Sequence, residues 1–180
     1  TFGNTSKTMD DLYNFSKDIV NQDKKLFMIG GEHLVSYAPI KALYEKYNDL
    51  RIIHFDAHTD LREDYLGEKM SHATVIKRVT DFLGPKRVYQ FGIRSGLKEE
   101  FDYSEKSQYI EKFTVSTVKN ILSELKDYPL YITVDLDVLD PSIMSGTGTP
   151  EPGGVSFNEL LQALLTLKGK NIVGADIVEL

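Results

Sequence analysis

Carboxylates and imidazoles crowd into a few short stretches of this chain. Glu32 and His33 follow Gly30-Gly31, Asp56, His58 and Asp60 alternate along residues 56–60, Asp135 and Asp137 flank Leu136, and Asp176 and Glu179 stand near the carboxyl end. Each stretch comes after a short apolar run, at 25–29, 51–55, 130–134 and Ile172-Val173. In open α/β folds, ligands sit beyond the carboxyl ends of the strands. Read as strands, these runs deliver two imidazoles (His33, His58) and four carboxylates (Asp56, Asp60, Asp135, Asp137) to one sheet edge. If the backbone stays extended, alternation turns Asp56, His58 and Asp60 to one side, and Asp135 with Asp137 likewise. Carboxylates that close raise one another's pKa and resist ionisation. Two divalent ions would cancel four of them and take the formal net charge from −6 to −2. Oxygen-rich ligation with two histidines and no sulfur suits Mn2+, with Co2+, Ni2+ or Zn2+ also open. A metal pair can hold a bridging hydroxide as nucleophile near neutral pH.

Taken singly, these motifs have plainer readings. An isolated Asp-x-His-x-Asp is often a solvated acidic turn, and Asp135-Leu136-Asp137 is a common strand ending. Gly30-Gly31 reads as a strand-to-helix turn that needs positive φ. His54 lies inside its strand and reads as a core histidine or a support for the ligands, and His72 as the first turn of a helix. Their joint occurrence points to a metal centre.

The elements that must position these groups alternate along the chain. Helical spacing runs from Asn4 through Met9, Leu12, Tyr13, Ile19 and Val20, and again over 36–47, 73–83 and 117–125, with Gly84 placed to end the third. Strands are expected at 25–29, 51–55, 88–93, 130–134 and 171–180, with a weaker one at 109–115. Ser156-Phe157-Asn158-Glu159 is a capping box that opens a helix to Leu167. The alternation predicts an α/β fold, a mainly parallel sheet with helices on both faces. A length of 180 residues fits one domain spanning 1–180. With 41% hydrophobic and 27% charged residues the composition is globular. No apolar run approaches the roughly 20 residues that cross a bilayer. Zero cysteines exclude disulfides and thiolate metal sites and permit a cytoplasmic setting. An excess of 27 acidic over 21 basic residues argues against a nucleic-acid partner and favours small cations.

In order and spacing, Gly30-Gly31-Glu32-His33, Asp56-Ala57-His58-Thr59-Asp60, Ser71-His72, residues 135–141 (DLDVLDP), residues 146–150 (GTGTP) and Asp176-Ile177-Val178-Glu179 resemble the ureohydrolase family, the arginases and agmatinases, over nearly the whole chain. The resemblance implies a three-layer α/β/α fold, a binuclear manganese centre, hydrolysis of a guanidinium compound to urea and an amine, and a homo-oligomer. It implies that His33 and Asp60 hold one Mn2+, His58 and Asp137 the other, with Asp56 and Asp135 shared. Catalytic roles fall on Asp60, on His72 for proton transfer and on Glu179 for the guanidinium. Glu32 departs from the Asp of many members, at a position that is not a ligand. The resemblance also implies a segment before Thr1 and a helix after Leu180 that this chain lacks.

Substrate choice within the family turns on fewer residues. Residues 61–65 (LREDY) replace the short Asn and Ser side chains with which arginases hold an amino-acid head. Residues 149–154 (TPEPGG) are similar to those of agmatinases, and Thr149 and Glu151 are expected to contact substrate. Glu63, Asp64 or Glu151 could face the ammonium of agmatine, whereas Arg62 or Arg94 could pair with a carboxylate such as guanidinobutyrate's. Agmatine is the expected substrate, with guanidinobutyrate or arginine, or a truncated non-catalytic relative, as alternatives. A metallophosphoesterase would need an Asn-His element and further histidines. A one-zinc deacetylase would leave Asp60 and Asp137 without a role.

Overall fold

Runs rich in Ile, Val, Phe and Tyr form six strands, β1 (Leu26–Ile29), β2 (Arg51–Phe55), β3 (Val88–Ile93), β4 (Tyr109–Lys112), β5 (Leu130–Asp135) and β6 (Ile172–Val178). The structure is a computed structural model that describes residues 4–180. The strands make one sheet in the order β1-β6-β5-β2-β3-β4, and every neighbouring pair is parallel. Helix α1 (Thr5–Asn21) precedes β1, and between the strands run α2 (Tyr37–Lys46), α3 (Val75–Leu83), α4 (Lys98–Ser107), α5 (Leu122–Leu125) and α6 (Phe157–Thr166).

Alternation along the strands divides the core into two layers. Ile52, Val88, Tyr131 and Val173 pack with Val20, Ile40, Leu43 and Val79 from α1 to α3. On the other face Ile53, Phe55, Phe91, Ile132 and Val134 pack with Leu125 of α5, Leu160 and Ala163 of α6 and the 3-10 turn at Ser116–Ile121. Most of these side chains are fully buried, each contributing roughly 1.5–3 kcal/mol of transfer free energy. The expected parallel sheet with helices on both faces is therefore present.

Several boundaries follow local chemistry. The Asn4 side chain accepts the Lys7 amide at 3.0 Å and starts α1. At α6 the capping box forms as expected, Ser156 Oγ accepting the Glu159 amide at 3.2 Å and Glu159 Oε2 accepting the Ser156 amide at 2.8 Å. The helix expected at 117–125 is mostly a 3-10 turn, because β-branched Thr117, Val118 and Ile121 lower α propensity there. Neither Gly30 nor Gly31 has positive φ, so the expected turn geometry is absent. Gly30 instead allows close packing, since a Cβ there would stand 3.0 Å from Val35. Helix α4 has no counterpart in the hydrophobic pattern. Its sequence KEEFDYSEKS buries Glu100 and Ser104, a polar pair one turn apart.

From β2 the chain moves outward to β3 and β4, then returns to place β5 on the other side of β2. This reversal opens a crevice at the carboxyl ends of β2 and β5, the favoured ligand position in such sheets. Gly92 lies just beneath it, with φ of 88° at the register shift between Phe91 and Ile93. A Cβ there would come within 2.5 Å of Val138 and 3.1 Å of the Asp56 carbonyl oxygen. Positive φ and overpacking each cost roughly 1–3 kcal/mol. Gly92→Ala is expected to lower the unfolding free energy by at least about 2 kcal/mol in urea titrations, and an unchanged midpoint would contradict this packing.

Candidate metal centre

Two turns bring the acidic residues together, and neither is extended. Asp56 Oδ1 accepts the His58 amide, and Asp135 Oδ1 accepts the Asp137 amide at 2.9 Å. These side-chain-to-backbone bonds curl the chain over the strand ends, a habit of Asp at turns. Convergence thus comes from turn chemistry rather than strand alternation. Asp137 Oδ1 in turn accepts the Ala57 amide at 2.9 Å, tying the β5 end to the β2 end.

The result is a buried cluster with two imidazole nitrogens facing carboxylate oxygens. His33 Nδ1 lies 3.1 Å from Oδ2 of each of Asp56, Asp60 and Asp135. His58 Nδ1 lies 2.8 Å from Asp137 Oδ2 and 3.5 Å from Asp56 Oδ1, so Asp56 turns one oxygen toward each histidine. Two sets, His33-His54-Asp56-Asp60 and Asp56-His58-Asp137, each offer atoms within 4.8 Å of one another that could hold a metal ion. His54 is the exception among them. Gln90 Nε2 donates to the Thr59 carbonyl at 2.8 Å and to His54 Nδ1 at 3.1 Å. His54 Nε2 therefore carries the proton and donates to Asp56 Oδ2 at 2.7 Å, which leaves no lone pair for a metal. Burial lowers the His54 pKa, in keeping with that neutral ring.

The electrostatics ask for a cation. Burial opposes charge on His33, yet its bonds to Asp135, Asp56 and Asp60 hold its pKa well above the ordinary histidine range. Asp60 is pushed up to about 7 by burial and by the Asp56 charge. Burial and the same charge raise Asp135 and Asp137. Beneath the cluster, His33 Nε2 lies 2.9 Å from Thr133 Oγ1, and Thr133 and Tyr131 both hydrogen-bond Asp176, the latter at 2.6 Å. With Nε2–H donated to Thr133, Nδ1 is turned to three carboxylates, where it either carries a proton or gives its lone pair to a cation. A divalent cation fits this donor set, all nitrogen and oxygen.

A cavity of about 270 Å³ opens above the cluster, lined among others by His58, Asp60, Arg62, His72, Glu151 and Glu179. Glu179 Oε1 accepts the His33 amide at 2.8 Å, and burial raises its pKa. Oε2 stands beside Gly148, where a Cβ would lie 3.2 Å away. Glu151 Oε1 accepts the Ser95 hydroxyl at 2.9 Å and lies 3.7 Å from His58 Nε2. Thr149 Oγ1 donates to Asp137 Oδ2 at 3.3 Å.

The arginase family's sequence model matches residues 1–180. The chain belongs to the arginase family. A curated agmatinase from Bacillus cereus is 48% identical across 99% of this chain and 63% of its own length. A crystal structure from Clostridium difficile, of a protein put forward as an agmatinase, has a TM-score of 0.97 and 51% identity over 100% of this chain and 67% of that one. The agmatine ureohydrolase of Thermoplasma volcanium gives 0.88 and 30% over 98% and 61%. The chain spans about 63% of the length of the curated agmatinases from Bacillus cereus and Bacillus subtilis.

Within this family fold, the eight residues singled out as ligands, proton donor and guanidinium partner meet at one sheet edge, and Thr149 and Glu151 line the same cavity. Other expectations change. Arg94 cannot greet a substrate carboxylate, because its donors go to backbone carbonyls including Asp137 at 2.7 Å and Glu151 at 2.9 Å. Glu63 points outward to Lys77 and Arg78, each at 3.1 Å. Glu32, passed over as a non-ligand, accepts the His72 amide and lies 3.1 Å from His72 Nδ1. Gln90 is a supporting residue that the motifs do not mark, although an amide inside the apolar run 88–93 is a usable signal, since buried polar groups need partners.

Proposed function

We propose that this protein hydrolyses agmatine to putrescine and urea with two Mn2+ ions. The observation that carries the reading is His33 Nδ1 turned to three buried carboxylate oxygens, in a chain 48% identical to an agmatinase. His33 and Asp60 would hold one ion and His58 and Asp137 the other, with Asp56 and Asp135 shared. When bound, the pair supplies the Lewis acidity that makes water nucleophilic near neutral pH.

The chain's own groups do the rest. The guanidinium is planar and permanently charged, and Glu179 matches its parallel N–H groups. Its Oε1 keeps a second lone pair after accepting the His33 amide, so both oxygens stay available. Delocalisation makes the guanidinium carbon a poor electrophile, and holding it in one orientation is therefore worth several kcal/mol. As the C–N bond breaks, the departing amine needs a proton, and an imidazole is suited to give it. Glu32 steadies His72 through Nδ1, which turns Nε2 to that task.

The far end favours a cation. Arg94 is spent on carbonyls, and Arg62 Nε sits 3.7 Å from Glu100. Asp64 accepts the Gly67 amide at 3.1 Å and is not among the cavity's lining residues, so Glu151 is the carboxylate left to face an ammonium, with Thr149 in the same lining. The family resemblance further supports a homo-oligomer, a cytoplasmic setting and a place in polyamine biosynthesis.

Urea release from agmatine, arginine and guanidinobutyrate, with and without Mn2+, tests the reading. Agmatine should be turned over with Mn2+ at least tenfold better than the others. Preference for another guanidine would overturn the substrate, and silence on all three would overturn the enzyme. Glu179→Gln should lower kcat/KM roughly a hundredfold with metal content unchanged. His72→Asn should lower kcat with both ions retained. Near-normal kinetics in either variant would remove that residue from its role.

A further inference from the structure

Asp60 adopts φ of 54°, a left-handed conformation that a non-glycine residue keeps only where its surroundings impose it. Several bonds do so. The Asp60 carbonyl accepts the Lys77 amide at 2.9 Å. The Thr59 carbonyl accepts Gln90 Nε2 at 2.8 Å, and Gln90 is held by the Ser104 hydroxyl, also at 2.8 Å. Glu100 spans the turn itself. Its Oε1 accepts the Thr59 hydroxyl at 2.7 Å and the Leu61 amide at 3.1 Å, the residues on either side of Asp60. Its Oε2 accepts the Leu97 amide at 2.6 Å at the start of α4. Gly96 lets the parts close up, since a Cβ there would meet Thr59 at 3.0 Å and Phe101 at 3.3 Å.

We infer that Glu100 is a positioning residue for the metal centre, holding the Thr59–Leu61 turn so that Asp60 is presented to the His33 half of the cluster. The inference rests on the reading that this cluster holds two ions. Capping α4 alone would not require a buried carboxylate, because a cap can sit in water and burying a charge is costly. Glu100 is only 5% exposed. Two of its three hydrogen bonds go to the turn, not to the helix. Ser104 lies one turn further along the same buried face and supports the turn through Gln90. The polar face of α4 thus stands where an apolar stripe would otherwise be.

The test counts Mn2+ retained by full-length holoprotein dialysed against graded metal buffers, with melting temperature recorded in parallel. Glu100→Ala removes both the cap and the clamp. Thr59→Val keeps shape and leaves the cap intact while removing one donor to Glu100. Losing a partner behind a ligand typically weakens metal binding about ten- to a hundredfold. For Glu100→Ala, one of two retention steps should shift by that much and the other stay in place, with the Mn2+ spectrum changing from a coupled pair to a single ion. Thr59→Val should shift the same step less, at a nearly unchanged melting temperature, which keeps the test decisive should Glu100→Ala fail to fold. Two ions held as tightly as in the wild type, with only a lower melting temperature for Glu100→Ala, would make Glu100 a helix cap and overturn the inference. Wild-type protein that retains no Mn2+ would instead overturn the metal reading beneath it.

Discussion

Asp56, Asp60, Asp135 and Asp137 are 0%, 6%, 3% and 1% exposed, and their repulsion governs what the rest of the structure must do. At about 4 Å and an effective dielectric constant near 20, one pair of like charges costs roughly 4 kcal/mol. Several such pairs would exceed the roughly 5–15 kcal/mol by which a domain is stable. Protons offer a partial remedy, seen in the upward shifts of His33, Asp60 and Asp135. Divalent cations offer a fuller one, and they take up the His33 Nδ1 lone pair in place of its proton.

A parallel sheet suits this task because its strand ends are rigid and its turns are free to carry polar groups. Strands β2 and β5 lie side by side, and an aspartate, Asp56 just after β2 and Asp135 at the end of β5, folds the turn that follows each. Arg94 fastens the turn after β5 to the loop bearing Glu151 by donating to carbonyls of both. Glu100 and Gln90 brace the turn after β2 from the other side. Site geometry therefore depends on neighbours whose polar groups are taken up by the turns they hold, and on Gly92, whose missing side chain lets Val138 approach.

Much of this is legible in the amino-acid sequence. Regular apolar runs announce strands, and an Asp or His placed just after them announces a strand-end site, so β2, β3 and the whole acidic cluster were found by position. Helix α4 was not, because periodicity registers apolar faces and this helix buries Glu100 and Ser104. In the sequence Arg94 reads as a cation awaiting an anion, since a sequence does not show that six backbone carbonyls surround it. Glu32 reads as a bystander because ligand motifs draw attention to the groups that touch metal and away from those that hold them. Arg94 and Glu32 share a cause: hydrogen bonds between residues distant in sequence leave no local pattern.

The claim at the centre is that the four carboxylates and two histidines, with Asp56 between the halves, make a two-ion site. Metal analysis of protein loaded with Mn2+ and then desalted tests it most directly. Two equivalents per chain are predicted for the native sequence, and Asp137→Asn should lower this toward one while the melting profile stays cooperative. A reproducible single equivalent in the native protein with full urea release, or no retained metal at all, would contradict the account.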